Sequence, residues 1–146
     1  MGDPVCYLHL VDEEGRMPDP RVTLRRAYDP PPPAGAPSRR VLVDRVWPRG
    51  IGKAELGADL WPRDLAPSDG LRRWFDHRPE RWEEFRRRYR EELREPERAL
   101  LLDELVGLAR EAPLTLLFGA RDRSRNQAVV IMEALEERLG RGLSSS

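Results

Sequence analysis

The run LTLLFGA, residues 114–120, constrains the chain more than any other feature. It is continuously apolar, bounded by Pro113 and by a charged turn. A strand exposed on one face alternates apolar and polar residues, whereas one buried on both faces reads as an unbroken apolar run. Residues 114–120 therefore read as a fully buried strand that needs neighbouring strands and covering layers. A second such stretch is VLVDRVWPRG, residues 41–50. Val41, Leu42, Val43 and Val46 read as interior β-structure over 41–47, and the stretch ends in Asp44, Arg45, Trp47, Pro48 and Arg49. Charge and an indole at the end of a core strand point to a ligand site.

The segment between these two strands carries helical patterns. LRRWFDH reads as a helix capped by Ser68. In PERWEEFRRRYREEL, Pro79 suits a first helical turn, and Trp82, Phe85, Tyr89 and Leu93 recur at steps of three and four. PERALLLDELVGLAREA repeats the plan, with Pro96 opening it and Leu101, Leu102, Leu105, Leu108 and Ala109 as the apolar stripe. After 114–120, SRNQAVVIMEALEERLG reads as a last helix. Ser124 and Gln127 match an S-x-x-Q capping box, and Ala128, Ile131, Met132, Leu135 and Leu139 form its stripe. Upstream, RVTLRRAY (21–28) alternates with period two as a strand does. Buried strands alternating with helices predict an α/β domain of three-layer type, with a mostly parallel sheet flanked by about four helices. The connection from 41–47 to 114–120 is long enough for a crossover between parallel strands.

The chain divides into an N-terminal extension (1–20), a single α/β domain (21–140) and a tail expected to be disordered (141–146). Within the extension, VCYLHLV is a short strand candidate cut off by Gly and Pro in DEEGRMPDP. DPPPPAGAPS reads as a stiff surface connector, since four prolines cannot donate backbone hydrogen bonds. Of 146 residues, 36% are charged with a formal net charge of zero, which argues against a uniformly basic nucleic-acid surface. Lys53 is the only lysine, so an arginine earns a role here by position rather than by type. Cys6 is the only cysteine, which excludes an internal disulfide and a Cys-based zinc site and fits a reducing cytoplasm. MGDPVCYLHL has no basic segment leading into a long apolar run, so no signal peptide is expected, and no run reaches the ~18 apolar residues of a membrane span.

In open α/β sheets ligands bind beyond the carboxyl ends of the strands. Two such loops are DRVWPRG and GARDRSRNQ (119–127), which share one rim if the strands are parallel. Arg121, Arg123 and Arg125 surround a helix N-terminus, where a helix dipole favours acids. They imply an anionic ligand or neighbouring carboxylates. Asp44 and Asp122 are candidate proton-transfer groups or metal ligands, each with pairing to an arginine as the plainer alternative. No metal site is assigned and no cofactor can be named. Arg45, Arg49, Arg121, Arg125 and Asn126 are candidate ligand contacts, Trp47 a stacking wall or core residue, and His77 a catalytic candidate or a helix-junction cap. P-loop, dinucleotide-fold and nucleophile-elbow signatures are absent from the sequence.

YDPP, RVLVDRVWPRG, DLAPSDGLRRWFDHRPERWEEFRRRYREEL and TLLFGARDRSRNQAVV together resemble the YeaO-like proteins (domain of unknown function 488), over roughly residues 21–140. The resemblance implies a small cytoplasmic α/β domain of a family whose activity is not established. It carries over onto Asp44, Arg45, Trp47, Pro48, Arg49 and Gly50, then Leu65 to Ser68, Trp74, Phe75, His77, Asp122 and Asn126. Two positions depart from its pattern. Arg78 stands where the family usually has Asp, removing a good helix cap, and Arg125 where it usually has His, which removes a base and leaves an anion ligand. The tetrapyrrole methyltransferase label given to some members finds no Gly-rich cofactor loop here.

Three functions follow. The first is a site for a small anionic ligand such as a nucleotide or sugar phosphate, catalytic or not. The second is a nucleic-acid-associated protein built on FRRRYR (85–90), although alternating charge there fits a solvated helix face with i,i+4 pairs. The third is a non-enzymatic interaction module, in which the strand-end charges are structural. No membrane partner is expected, and the oligomeric state is open.

Overall fold

The structure, a computed structural model, describes residues 21–30 and 38–144. VCYLHLV, most of the proline-rich connector and the last two residues lie outside the described residues.

Three strands form the sheet: β1 (Val22–Arg26), β2 (Arg39–Leu42) and β3 (Leu114–Phe118). The order is β1-β3-β2, and both pairings are parallel, with Leu24 opposite Leu116 and Val41 opposite Leu116. The strand with the unbroken apolar run is thus the central one, and all five of its residues are buried. Period-two alternation then divides the core. Val22, Val41, Val43, Leu114, Leu116 and Phe118 face the main cluster, while Ala27, Leu42 and Leu117 face a smaller one on the opposite side. Burying a side chain such as Leu116 contributes about 2 kcal/mol.

Helices α2 (Asp69–Phe75), α3 (Trp82–Glu92), α4 (Pro96–Glu111) and α5 (Gln127–Ser144) close over the main face. The other face is covered by the single-turn helix α1 (Lys53–Leu56), with Trp47, Ile51 and Trp61 packed against the small cluster. The four longer helices and the parallel sheet match the sequence expectation, with the second covering layer built mainly from loop.

Local signals place the helices. The Ser68 hydroxyl accepts from Leu71 N at 3.2 Å and donates to Glu92 at 2.6 Å, so one residue caps α2 and ties it to α3. Tyr89 is fully buried and its hydroxyl donates to the Leu65 carbonyl at 2.5 Å, fixing DLAPS against α3. Burial also drives the Tyr89 phenol well above its ordinary pKa. Pro79 opens a 3-10 turn that feeds α3, and Pro96 opens α4. Arg78, at the cap of that turn, makes no side-chain capping bond.

Three expectations are corrected. First, β2 spans Arg39–Leu42 rather than 41–47. Val43 N still bonds the Leu117 carbonyl, but beyond it the chain leaves the sheet, and Trp61 Nε1 donates to Asp44 O at 2.8 Å. Val46 is consequently 66% exposed, not interior. Second, α5 starts at Gln127, so Ser124 is not its cap. Third, α5 continues through 141–144, where a disordered tail was expected.

Candidate functional site

All three strands run the same way, so the loops after β1, β2 and β3 emerge over one rim. Asp44 joins the second and third of them. Its Oδ2 accepts from Gly119 N at 2.9 Å, and its Oδ1 accepts from Gln127 Nε2 at the start of α5. Gly119 leaves room for this carboxylate: a Cβ at that position would stand 2.9 Å from Asp44 Oδ2 and displace it. Burial raises the Asp44 carboxyl from 3.8 to about 6, against the opposing pull of the Gly119 and Gln127 hydrogen bonds.

The start of α5 is built from a different residue than the capping-box spacing implies. Asn126 is 2% exposed, and its Oδ1 accepts from Ala128 N at 2.9 Å and Val129 N at 3.3 Å. Its Nδ2 donates to the Asp122 carbonyl at 2.8 Å. Asparagine directly before the first helical residue out-competes Ser124, and Gln127 turns to Asp44 instead of back onto a cap. Asp122 organises the loop itself: its Oδ1 accepts from Ser124 N at 2.9 Å and Arg125 N at 3.1 Å, and its Oδ2 lies 3.3 Å from Arg125 Nη1. The Ser124 N–H, foremost, holds its carboxyl below the usual range. Arg123 forms two hydrogen bonds to Asp29, at 2.9 and 2.7 Å, which lower the Asp29 carboxyl to about 2. Arg121 makes no hydrogen bond or ion pair among the described residues.

Between these loops and α2 lies a cleft of about 490 Å³. Asp44, Gly119 and Gln127 line it at the sheet edge, with Phe75, Phe85 and Pro67 as apolar walls. Phe75 and Phe85 stack at 4.3 Å with 21° between their planes. Four arginines also line it, Arg45, Arg72, Arg73 and Arg125, together with Asp44 and Asp76. Arg72 is paired with Asp69 at 2.7 Å, and Arg45 only reaches Asp64 at 3.9 Å. Arg73 is exposed, and its side chain makes no hydrogen bond or ion pair among the described residues, although, behind the Arg72 hydrogen bond, its charge helps hold the Asp69 carboxyl below the usual range.

Of the residues singled out from sequence, Asp44, Arg45, Trp47, His77, Arg125 and Asn126 line this cleft, whereas Arg49, Arg121 and Asp122 do not. Trp47 is both wall and core: its Nε1 donates to Ile51 O at 2.6 Å, and its ring meets Trp61 edge-on at 5.3 Å. Arg49 sits beside Gly50, whose φ of 79° needs glycine, and contributes its carbonyl to the Tyr28 hydroxyl at 3.0 Å. His77 caps nothing and makes no hydrogen bond among the described residues; its ring lies 6.4 Å from that of Phe75. Asp76 and His77 both adopt left-handed backbone, with φ of 48° and 54°. Two successive non-glycine residues in that region cost of order 1 kcal/mol each, a strain held at the cleft wall. Sequence reasoning missed Arg72, Arg73 and Gln127. The first two stand in the quoted DGLRRWFDH, but only tertiary packing shows that α2 delivers them to the same rim.

Among the described residues no helix is long and apolar enough to cross a membrane, and no group of three or more His, Cys, Asp or Glu side chains is placed to hold a metal ion. Residues 21–145 match the model of the DUF488-N3i family, described as the inactive DUF488-N3 subclade. Uncharacterized proteins of Mycobacterium tuberculosis and Mycobacterium bovis are each 39% identical over 118 residues, covering 81% of this chain and 96% of the relative. The uncharacterized protein YeaO of Escherichia coli is 36% identical over 114 residues, covering 78% of this chain and 96% of YeaO. No solved structure matches. The chain therefore belongs to the YeaO-like DUF488 family, within the subclade described as inactive.

Proposed function

We propose that the cleft is a binding site for a small phosphate-bearing anion. The observation that carries this reading is the meeting of the two strand-end loops through Asp44, at the edge of a cleft lined by four arginines, of which Arg73 makes no side-chain hydrogen bond or ion pair among the described residues and shares the nearby carboxylate of Asp69 with Arg72 and Arg45. An arginine fork recognises phosphate or carboxylate oxygens two at a time, and a low-dielectric wall strengthens each contact. The charge is supplied by side chains rather than by the N-terminus of α5, because Asn126 already occupies the Ala128 and Val129 N–H groups.

Asp44 is the group in this cleft suited to proton transfer, with its carboxyl near 6 and a place beside the bound ligand. The subclade's description as inactive favours binding without turnover, with Asp44 accepting a hydrogen bond from the ligand. Asp122 has a loop-forming role in this reading, since its carboxylate is bonded within its own turn and lies outside the cleft. The nucleic-acid reading has little free charge on α3 to draw on. Arg86 pairs with Glu133 at 2.8 Å, Arg87 and Arg88 each reach Glu84 at 2.7 Å, and Arg90 pairs with Glu137.

Thermal unfolding of dialysed protein against a panel of phosphate-bearing compounds tests the proposal. At a hundred times its Kd a ligand adds about 2.7 kcal/mol, a rise of several degrees in Tm for a domain of this size. Arg73→Ala should weaken the response at least tenfold. A flat panel for the native chain, or an unchanged response in Arg73→Ala, would overturn it.

A further inference from the structure

We infer that the ligand of this cleft is a nucleotide, its base seated inward against the Asp44 carboxylate and its phosphate outward at Arg45 and Arg73. This rests on the anion-site reading above and narrows it to one chemical class.

Three kinds of group line the cleft, and a bare anion satisfies only one of them. Arg72, Arg73 and Arg125 are exposed and Arg45 partly so, which puts the cationic groups towards solvent. Phe75 and Phe85, 6% and 2% exposed, belong to the core and only edge the cleft, so the flat surface a ligand meets there is that of Tyr28 and Trp47, with Pro67 beside them. Asp44 stands at the sheet edge, where each of its oxygens has accepted one hydrogen bond from the protein and keeps a lone pair in reserve. An ionised carboxylate accepts only, so whatever reaches it must donate, and a second anion placed there is repelled.

Three simpler ligands fail this pattern. Inorganic phosphate would fill a small part of a cleft of about 490 Å³, a size within the range of small-molecule sites. A sugar phosphate carries hydroxyl donors for Asp44 but no flat face to set against Tyr28 and Trp47, so the aromatic part of the lining goes unused. An aromatic phosphate without N–H groups fits the walls and leaves Asp44 unanswered. A nucleobase is flat, stacks on aromatic or apolar walls, and carries N–H donors on its edge, with the phosphate one sugar away.

Isothermal titration of the full chain with AMP, CMP, ribose 5-phosphate and inorganic phosphate tests the assignment. Both nucleotides should bind at least tenfold more tightly than ribose 5-phosphate. In Asp44→Asn, which preserves shape while replacing an acceptor-only carboxylate, that advantage should fall below threefold, with the amide spectrum confirming an intact fold. Ribose 5-phosphate binding as tightly as the nucleotides, or an advantage kept in Asp44→Asn, would overturn the inference while leaving the anion site standing. Binding of none of the four would overturn both.

Discussion

Replacing Asp44 by Asn should stabilise the protein at neutral pH and leave it nearly unchanged in acid. The Asp44 carboxyl is raised from 3.8 to about 6, chiefly by burial, so the folded state disfavours its charge. The difference of about two pKa units corresponds to about 3 kcal/mol at 1.36 kcal/mol per unit, and water entering the open cleft reduces this to about 2 kcal/mol. The sign follows from linkage. A carboxyl with a raised folded-state pKa imposes no penalty below 3.8, where it is neutral in both states, and its penalty grows as pH rises through 6. Asparagine carries no charge at any pH and keeps an oxygen for Gly119 N, while Gln127 can present either end of its amide. Urea denaturation of both proteins at pH 4 and pH 7.5 should therefore show the variant gaining about 2 kcal/mol over the native chain between the two conditions. Other carboxylates titrate alike in both proteins and cancel in the comparison. A difference independent of pH would show that the Gly119 and Gln127 hydrogen bonds balance desolvation, and a native chain that gains on the variant as pH rises would show that they outweigh it; either result rules out a carboxyl penalised by burial.

Gly119→Ala should cost about 1–3 kcal/mol in urea denaturation and abolish the response to phosphate-bearing ligands, because the new Cβ stands 2.9 Å from Asp44 Oδ2 and forces that carboxylate off the Gly119 N–H. Tyr89→Phe should cost about 1–2 kcal/mol in the same assay, since it leaves the Leu65 carbonyl without its 2.5 Å partner in a buried setting. Arg123→Ala should return the Asp29 carboxyl part of the way from about 2 towards its ordinary 3.8, read by NMR titration of its side-chain carbon, with the fold intact because Arg123 is exposed and Asp29 keeps its hydrogen bond from Arg26 N.

The parts of the fold legible in the sequence are those governed by local chemistry or by an unbroken pattern. Leu114 to Phe118 had to be a central strand because both of its faces are apolar, and Ser68, Pro79 and Pro96 mark helix starts by capping and by fixed φ. Where two local signals competed, the sequence was ambiguous. Val46 continues an apolar run, yet the hydrogen bonds of Asp44 and Trp61 turn the chain out of the sheet before it. Ser124 and Asn126 are both good caps, and the one nearer the buried turn prevailed. The site was legible as far as its loops: parallel strands put DRVWPRG and GARDRSRNQ on one rim, and Asp44 does bridge them. Which arginines line the cleft was not legible. Arg49 and Arg121 look equivalent to Arg45 and Arg125 along the chain, and the cleft is completed by Arg72 and Arg73 from an element far from either loop in sequence.

If the two loops and the end of α2 form one receptive cleft around Asp44, a single ligand must perturb all three. Isotope-labelled protein titrated with AMP should show the Gly119 amide, the Gln127 side-chain amide and the Arg73 Nε resonance shifting together along curves with a single Kd. Shifts confined to Arg49, Arg121 or the arginines of α3, or three curves with different midpoints, would mean that no such common cleft exists.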